Sequence, residues 1–188
     1  APERVEISTI KDISRYSNAE YGFSFMPQAG WMLQKSAGGL NDPVLMALGV
    51  ANDGITPSIT FEALESNDTT LEEVFGPRFE KYHELDDGVT FDILSEEYFT
   101  TYAGYTGLEI IAVQIFDGLS DSNPNASATH PVKFKQVFLP GSNFHYVISY
   151  ANHQDYFDEG LAGYDKIIDS FLITSYTESN TNPENEVI

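Results

Sequence analysis

The chain has 188 residues, enough for one domain, and 41% of them are hydrophobic, so it can form a core without disulfides. Nine Lys and Arg stand against 29 Asp and Glu, and the resulting formal charge of -20 excludes nucleic acid as a partner. Cysteine is absent, which excludes disulfides, thiolate metal sites and cysteine catalysis. No window approaches the roughly 18 apolar residues that a membrane span needs, so no span is expected.

The first half of the chain predicts four strands followed by a helix. Alternation of aromatic and small residues predicts a strand at 21–26, and a Pro27–Gly30 turn leads into a second strand at 31–35. Val44 to Ala51 is apolar almost throughout, which predicts a strand buried on both faces, and 59–64 alternates again. Trp31 is expected to be largely buried beside this turn.

The first helix is predicted from a capping box at Thr69 to Glu72. Its apolar stripe is Leu71, Val74, Phe75, Phe79, Tyr82 and Leu85. Pro77 removes a helical amide donor, so we expect a kink or two short helices.

The second half repeats this order. Strands are predicted at 91–97, at 108–116 as a central strand, and at 132–139 and 144–151 as a hairpin. Asn152 is expected to cap a final helix. That helix carries a stripe of Phe157, Leu161, Tyr164, Ile168 and Phe171, with Gly160 and Gly163 allowing a close approach to a sheet. The fold class is therefore α+β: a sandwich in which two main helices cover a mainly antiparallel sheet.

Two segments of the sequence resemble a known family. Residues 16–31 (YSNAEYGFSFMPQAGW) and 164–173 (YDKIIDSFLI) are similar to the opening hairpin and the terminal helix of the PsbP-like superfamily. The resemblance spans about residues 16 to 176, and its motifs specify a fold rather than a reaction. It divides the chain into an N-terminal extension (1–16), a PsbP-like domain (17–176) and a disordered acidic tail (177–188).

The resemblance implies an α-β-α sandwich used for binding. Relatives include an extrinsic photosystem subunit, a nuclear-transport factor that binds a small GTPase, bacterial proteins of the DcrB and LpqN type, and chaperones for secreted effectors. The family has no shared catalytic constellation that could be transferred to this chain, and no cofactor is expected.

One loop carries a partial metal motif. Asp121 to Asn125 (DSNPN) matches the first three ligand positions of a calcium loop, and Asp117, Asp121, Asn123 and Asn125 are weak candidate ligands. The sixth position is Ala126 instead of glycine and the twelfth is Val132 instead of a carboxylate, so a polar surface loop is the favoured interpretation. None of the four histidines has a second histidine two or four positions away.

Aromatic residues supply the other candidate surface. Tyr98, Tyr102 and Tyr105 lie in a glycine-bearing stretch (98–107) that core packing explains less readily than the other aromatic runs. They are the candidate ligand or partner surface. Nine carboxylates crowd residues 62–87, which solvated helix faces explain better than acid–base catalysis.

These observations predict a non-enzymatic, extracytoplasmic binding or accessory protein that contacts another protein and is itself a monomer. The chain begins at Ala1-Pro2, so either a leader has been removed or the sequence has been trimmed. We expect an extracytoplasmic protein that is secreted, periplasmic or membrane-anchored through a removed leader. The alternative is a small-ligand or cation carrier that uses the aromatic stretch or the Asp117 to Asn125 loop. An unrecognised hydrolase ranks last, since no catalytic motif is present.

Overall fold

The computed structural model describes residues 7–9, 14–36, 42–52, 55–83, 89–116 and 131–174. The candidate calcium ligands, His130 and the tail from residue 177 lie outside these ranges. The domain boundaries therefore stay predictions. Within residues 1–16, the segment Ile7–Thr9 forms a strand that pairs with Met32–Lys35.

An antiparallel sheet of eight strands dominates the described part of the chain. In their order across the sheet, the strands are β1 (Ile7–Thr9), β4 (Met32–Lys35), β5 (Leu45–Leu48), β6 (Ser58–Glu65), β10 (Phe144–His153), β9 (Val132–Leu139), β8 (Thr106–Phe116) and β7 (Val89–Thr100). A small second sheet contains β2 (Tyr16–Asn18), β3 (Phe23–Phe25) and β11 (Leu172–Ile173), and the helices are α1 (Leu71–His83) and α2 (Phe157–Ser170). The prediction of a mainly antiparallel α+β fold with two helices is confirmed.

The two faces of the large sheet carry separate cores. In β10, Tyr146, Ile148 and Tyr150 share a buried cluster with the apolar side of α2 and with β3. Val147 belongs instead to a second cluster that contains Phe75 of α1. Because successive side chains of a strand point to opposite faces, α1 and α2 pack against opposite faces of the sheet.

Aromatic rings dominate the core on the α2 face. Phe61 of β6 stacks on Phe25 and Phe23 of β3, with ring centroids 4.5 Å and 5.8 Å apart. Phe171, directly after α2, stacks on Phe23 at 5.6 Å. Each such aromatic pair contributes about 0.5–1.5 kcal/mol beyond the area it buries. The alternation of aromatic and small residues at 21–26, which predicted a strand, therefore places aromatic rings of the small sheet against a ring of the large sheet.

Three buried tyrosines on this face are anchored through their hydroxyls. Tyr164 donates to the Ile148 carbonyl at 2.7 Å, Tyr150 to the Phe157 carbonyl at 2.9 Å and Tyr146 to the Tyr21 carbonyl at 2.8 Å. These bonds tie α2 and the segment before β3 to β10. Burial raises the pKa of Tyr146 to about 12, because the phenolate would lose its hydration.

Both predicted helix starts are displaced in the structure. The capping box is formed by Thr70 and Glu73, whose side chains each accept from the other's amide, one residue later than predicted. Asn152 does not cap α2: it lies in β10, and its side chain donates to the Tyr150 hydroxyl and the Tyr156 carbonyl. A single 3-10 turn (Gln154–Tyr156) intervenes, and the His153 side chain caps it.

Other departures concern lengths and burial. α1 is one helix that contains Pro77, not two short helices. The strand predicted at 44–51 is shorter, and only one of its faces is buried: Leu45 and Ala47 are buried while Met46 and Leu48 are half-buried. Trp31 is also half-buried, against the aromatic core. Strands β1, β2 and β11, of two or three residues each, were not predicted because such short segments carry no measurable period.

Candidate functional site

The turn between β7 and β8 is specified by backbone hydrogen bonds. The Thr101 amide donates to the Tyr105 carbonyl at 2.8 Å, and the Gly104 amide donates to the Thr101 carbonyl at 2.9 Å. Gly104 has φ 89°, a conformation that glycine adopts without a steric penalty. The Thr101 hydroxyl also accepts from the Tyr105 amide. The turn therefore holds Tyr102 in a fixed place at its tip.

The three candidate tyrosines separate into two groups. Tyr98 is 72% exposed and Tyr102 is 91% exposed, so both rings are available to a partner. Tyr105 is half-buried, and its hydroxyl accepts from the Ile173 amide at 3.0 Å, which ties the turn to β11. The structure brings Tyr98 and Tyr102 to one exposed hairpin and assigns Tyr105 a structural contact.

β7 is an outer strand of the large sheet, a position that the sequence did not reveal. Its 12 residues pair with β8 along their whole length, with a bulge between Ile93 and Ser95. The bulged residue, Leu94, is 51% exposed. An outer strand presents backbone amides and carbonyls on its open side, and a bulge is one device that limits uncontrolled pairing there.

The side chains along this strand are acidic and apolar. Asp92, Glu96 and Glu97 are exposed, and neither β7 nor β8 contains Lys or Arg. We call Leu94, Glu96, Glu97, Tyr98 and Tyr102 the hairpin surface. The Tyr98 hydroxyl lies 3.5 Å from Glu72 Oε1, so the first turn of α1 adds a carboxylate beside this surface.

Two basic residues near the sheet, Arg78 and Lys135, are engaged elsewhere. Arg78 forms a bidentate pair with Glu62 at 3.1 and 2.7 Å. Lys135 Nζ lies 3.1 Å from both Glu109 and Asp165 on the α2 face. Burial alone would lower the pKa of Lys135, but its hydrogen bonds to these two carboxylates raise it overall. Neither cation neutralises the hairpin surface.

Two histidines, His145 and His153, have structural partners. His145 is buried, with Nε2 2.7 Å from the Thr69 carbonyl and Nδ1 accepting from the Gly141 amide. His153 caps the 3-10 turn before α2 through Nδ1. Across the described ranges, no group of three His, Asp or Glu side chains is arranged to hold a metal ion.

A second feature is a cavity of about 500 Å³ that the sequence analysis did not anticipate. Its lining includes three acidic residues, Glu20, Glu65 and Asp68, and two aromatic residues, Phe144 and Tyr146. Asn67 and Asp68 adopt left-handed backbone conformations there, with φ 42° and 60°. The signal that could have located its rim is the polar Asn67-Asp68 pair, since these residue types tolerate that conformation in turns. A cavity between distant loops has no local sequence signature.

The sequence matches no family model and no curated protein. Solved structures do match. The solution structure of cyanobacterial PsbP (CyanoP) from Synechocystis sp. PCC 6803 superposes with a TM-score of 0.58 at 12% identity, covering 85% of this chain and 91% of that chain. LpqN, involved in cell envelope biogenesis of Mycobacterium tuberculosis, superposes with a TM-score of 0.53 at 13% identity, covering 92% of each chain.

These likenesses confirm the resemblance that the two sequence segments carried: the chain has the PsbP-like fold. At such identities they establish the fold alone. No helix in the described ranges is long and apolar enough to cross a membrane.

Proposed function

We propose that this chain is a non-enzymatic, extracytoplasmic binding or accessory protein of the PsbP-like class, with α-β-α layering, and that it acts on another protein through the hairpin surface. The observation that carries the proposal is the exposure of Leu94, Tyr98 and Tyr102. They are three of the six large apolar side chains that are exposed in the described part of the chain. Exposed aromatic residues in one patch are typical of protein interaction sites.

The rest of the fold gives these residues no structural task. Tyr102 is placed at the tip of a turn whose own hydrogen bonds do not involve its side chain. The Tyr98 ring projects beside α1 and touches Glu72 only at the limit of a hydrogen bond. Core packing therefore does not explain the aromatic identity of either position, whereas partner binding does.

Two neighbours of the same fold support the class of function. One is a PsbP, and the other is described as involved in cell envelope biogenesis. Neither description names a reaction. An accessory role and an extracytoplasmic location are consistent with both.

Site-specific photo-cross-linking in the native cell tests the proposal. A photoreactive phenylalanine analogue replaces Tyr102, and a matched control carries it at Val50, which is 80% exposed and lies two residues beyond β5. We expect a discrete protein adduct at position 102 that weakens when Tyr98 is also changed to Ala. Equal adducts at both positions, or none at either, would contradict a binding role for the hairpin.

A second candidate, a small-ligand carrier, is favoured by the cavity at Glu20, Glu65 and Asp68. Carboxylates beside aromatic rings suit an organic cation, and a cavity of this volume accommodates a small molecule. Thermal-shift screening against organic amines tests it. A saturable increase in melting temperature that Glu65→Gln abolishes supports the carrier function. If no amine shifts the melting temperature, the carrier function is rejected and only the protein-partner function remains.

A further inference from the structure

The hydrogen bonds of the turn determine which N–H and C=O groups of β7 point toward its open side, away from β8. Thr101 and Tyr105 form a hydrogen-bonded pair at the end of the hairpin. In antiparallel strands, hydrogen-bonded and non-hydrogen-bonded pairs alternate. From the register of β7 and β8, Thr100, Tyr98 and Glu96 belong to non-hydrogen-bonded pairs. Their N–H and C=O groups therefore point away from β8, toward the open side.

This arrangement resists pairing between two copies of the chain. A second β7 would bring Glu96 and Glu97 against the same carboxylates, and directly opposed like charges destabilise a strand pair. Each copy carries a formal charge of -20, which adds long-range repulsion. The bulge at Leu94 further shortens the regular part of the strand. The negative charge of β7 therefore repels an acidic partner strand, but it does not repel a basic one.

The positions of the carboxylates along β7 define which side chains of a partner would fit there. Tyr98 and Glu96 share one face of β7, because they are two residues apart with no bulge between them. Glu72 of α1 adds a carboxylate beside the same ring, with Oε1 3.5 Å from the Tyr98 hydroxyl. A Lys or Arg side chain placed over that ring would meet two carboxylates and the ring face together. Glu97 and Asp92 carry negative charge on the opposite face of the strand.

We propose that the open side of β7 accepts a basic, extended segment of a partner protein as an additional strand, paired with Glu96, Tyr98 and Thr100. This inference rests on the proposed function and specifies the chemistry of the partner. Main-chain hydrogen bonds hold the added strand, and its Lys or Arg side chains select the site. The residues Ser95–Thr100 beyond the bulge set the length of the segment that can pair in regular register.

The test is an NMR titration of the full chain with three synthetic decapeptides. The probe alternates Thr and Lys, the second peptide is the same sequence N-methylated at every backbone nitrogen, and the third alternates Thr and Glu. We expect only the first to bind, with slowed amide exchange at Glu96, Tyr98 and Thr100. The amides of Glu97 and Phe99 already face β8 and should change little.

Charge reversal gives an independent readout. Glu96→Lys/Glu97→Lys should weaken binding of the Thr-Lys peptide at least about tenfold, because the contact made by Glu96 becomes repulsive and position 97 adds a second positive charge to the strand. The control, Glu159→Lys/Asp169→Lys, makes the same change in net charge at exposed positions of α2 and should leave the affinity within about twofold.

Equal affinity for the N-methylated peptide, or binding without protection of the three outward amides, would overturn strand addition. So would failure of the Thr-Lys peptide to bind at all. These outcomes leave the proposed function testable by cross-linking: adducts at Tyr102 together with a negative titration would mean that a partner binds the hairpin by another mode. Absence of adducts would reject the function itself.

Discussion

Strands β10 and β7 belong to one sheet and have similar lengths, yet they have opposite environments. β10 lies between β6 and β9, and almost all of its side chains are buried. Among the described strands, β7 pairs only with β8, and it exposes Leu94, Glu96, Glu97 and Tyr98. Aromatic residues in β10 are explained by packing and by hydroxyl bonds to the backbone. On β7, by contrast, the side chain of Tyr98 is 72% exposed and its hydroxyl lies 3.5 Å from the Glu72 carboxylate, so position within the sheet decides whether a tyrosine belongs to the core or is available to a partner.

Truncating the centre of the aromatic core should have the largest effect. Phe23→Ala removes a ring that stacks on Phe61 and Phe171, and should lower the free energy of unfolding by about 3–5 kcal/mol. Chemical denaturation measures it, with Phe23→Leu as a control that keeps most of the apolar volume. A loss for the alanine variant no greater than that of the leucine variant would show that the ring is not well packed.

The contact between α2 and the sheet should contribute nearly as much to the free energy of unfolding as the Phe23 ring does. Ile168 is buried against the aromatic core, so Ile168→Ala should cost about 2–5 kcal/mol. The melting temperature and denaturant midpoint both report it. An unchanged midpoint would show that α2 is peripheral to the fold.

Two glycines of α2 form a matched pair. A Cβ on Gly160 would lie 2.2 Å from the buried Tyr150 hydroxyl, so Gly160→Ala should destabilise by about 1–3 kcal/mol despite its better helix propensity. A Cβ on Gly163 would meet only the flexible Gln28 side chain at 3.3 Å. Gly163→Ala should therefore be neutral or stabilising by up to about 1 kcal/mol. Equal changes for the two variants would contradict the close approach at Gly160.

Alkaline pH should destabilise the α2 face through its buried tyrosines. The pKa of Tyr146 rises to about 12 in the folded chain, against an ordinary value of 10.0. Because the folded pKa is the higher one, the contribution of Tyr146 to stability is complete below pH 10 and is lost as the pH rises toward 12. Melting temperatures from pH 9 to 12 measure this loss. Tyr146→Phe should decline less steeply over that range, and identical slopes would be evidence against burial of the hydroxyl.

Substitutions in the hairpin surface should have the smallest effect on stability. Tyr98→Ala and Tyr102→Ala should each change the free energy of unfolding by less than about 0.5 kcal/mol, because both rings are exposed. The same substitutions should reduce cross-linking to the partner. A large loss of stability in either variant would mean that its ring packs against the protein.

Much of the fold could be predicted because hydrophobic residues recur at regular spacing in its central strands and helices. The stripe of Phe157, Leu161, Tyr164, Ile168 and Phe171 predicted α2; Leu161 is half-buried and the other four side chains are buried. The start of each helix was less certain, since Thr69 and Thr70 both suit a cap and only tertiary contacts choose between them. Thr69 is instead engaged with Ser66, and its carbonyl bonds to His145.

The site was predictable only in part. The exposed aromatic stretch was found because Tyr98, Tyr102 and a nearby glycine break the pattern of a core strand. Whether a strand lies at the edge of a sheet depends on pairing between distant segments, so the open side of β7 has no local signature. For the same reason Tyr105 was grouped with the two exposed tyrosines, although its hydroxyl bonds to β11, which lies 68 residues away along the chain.

Hydrogen–deuterium exchange of this protein, alone and bound to the partner identified by cross-linking, tests the central claim most directly. We predict that partner binding slows exchange in residues 94–102, while peptides from β10 and α2, already protected, stay unchanged. Protection confined to residues 65–68 and 142–144 at the cavity, or to the α2 face, would contradict a binding role for the β7 hairpin.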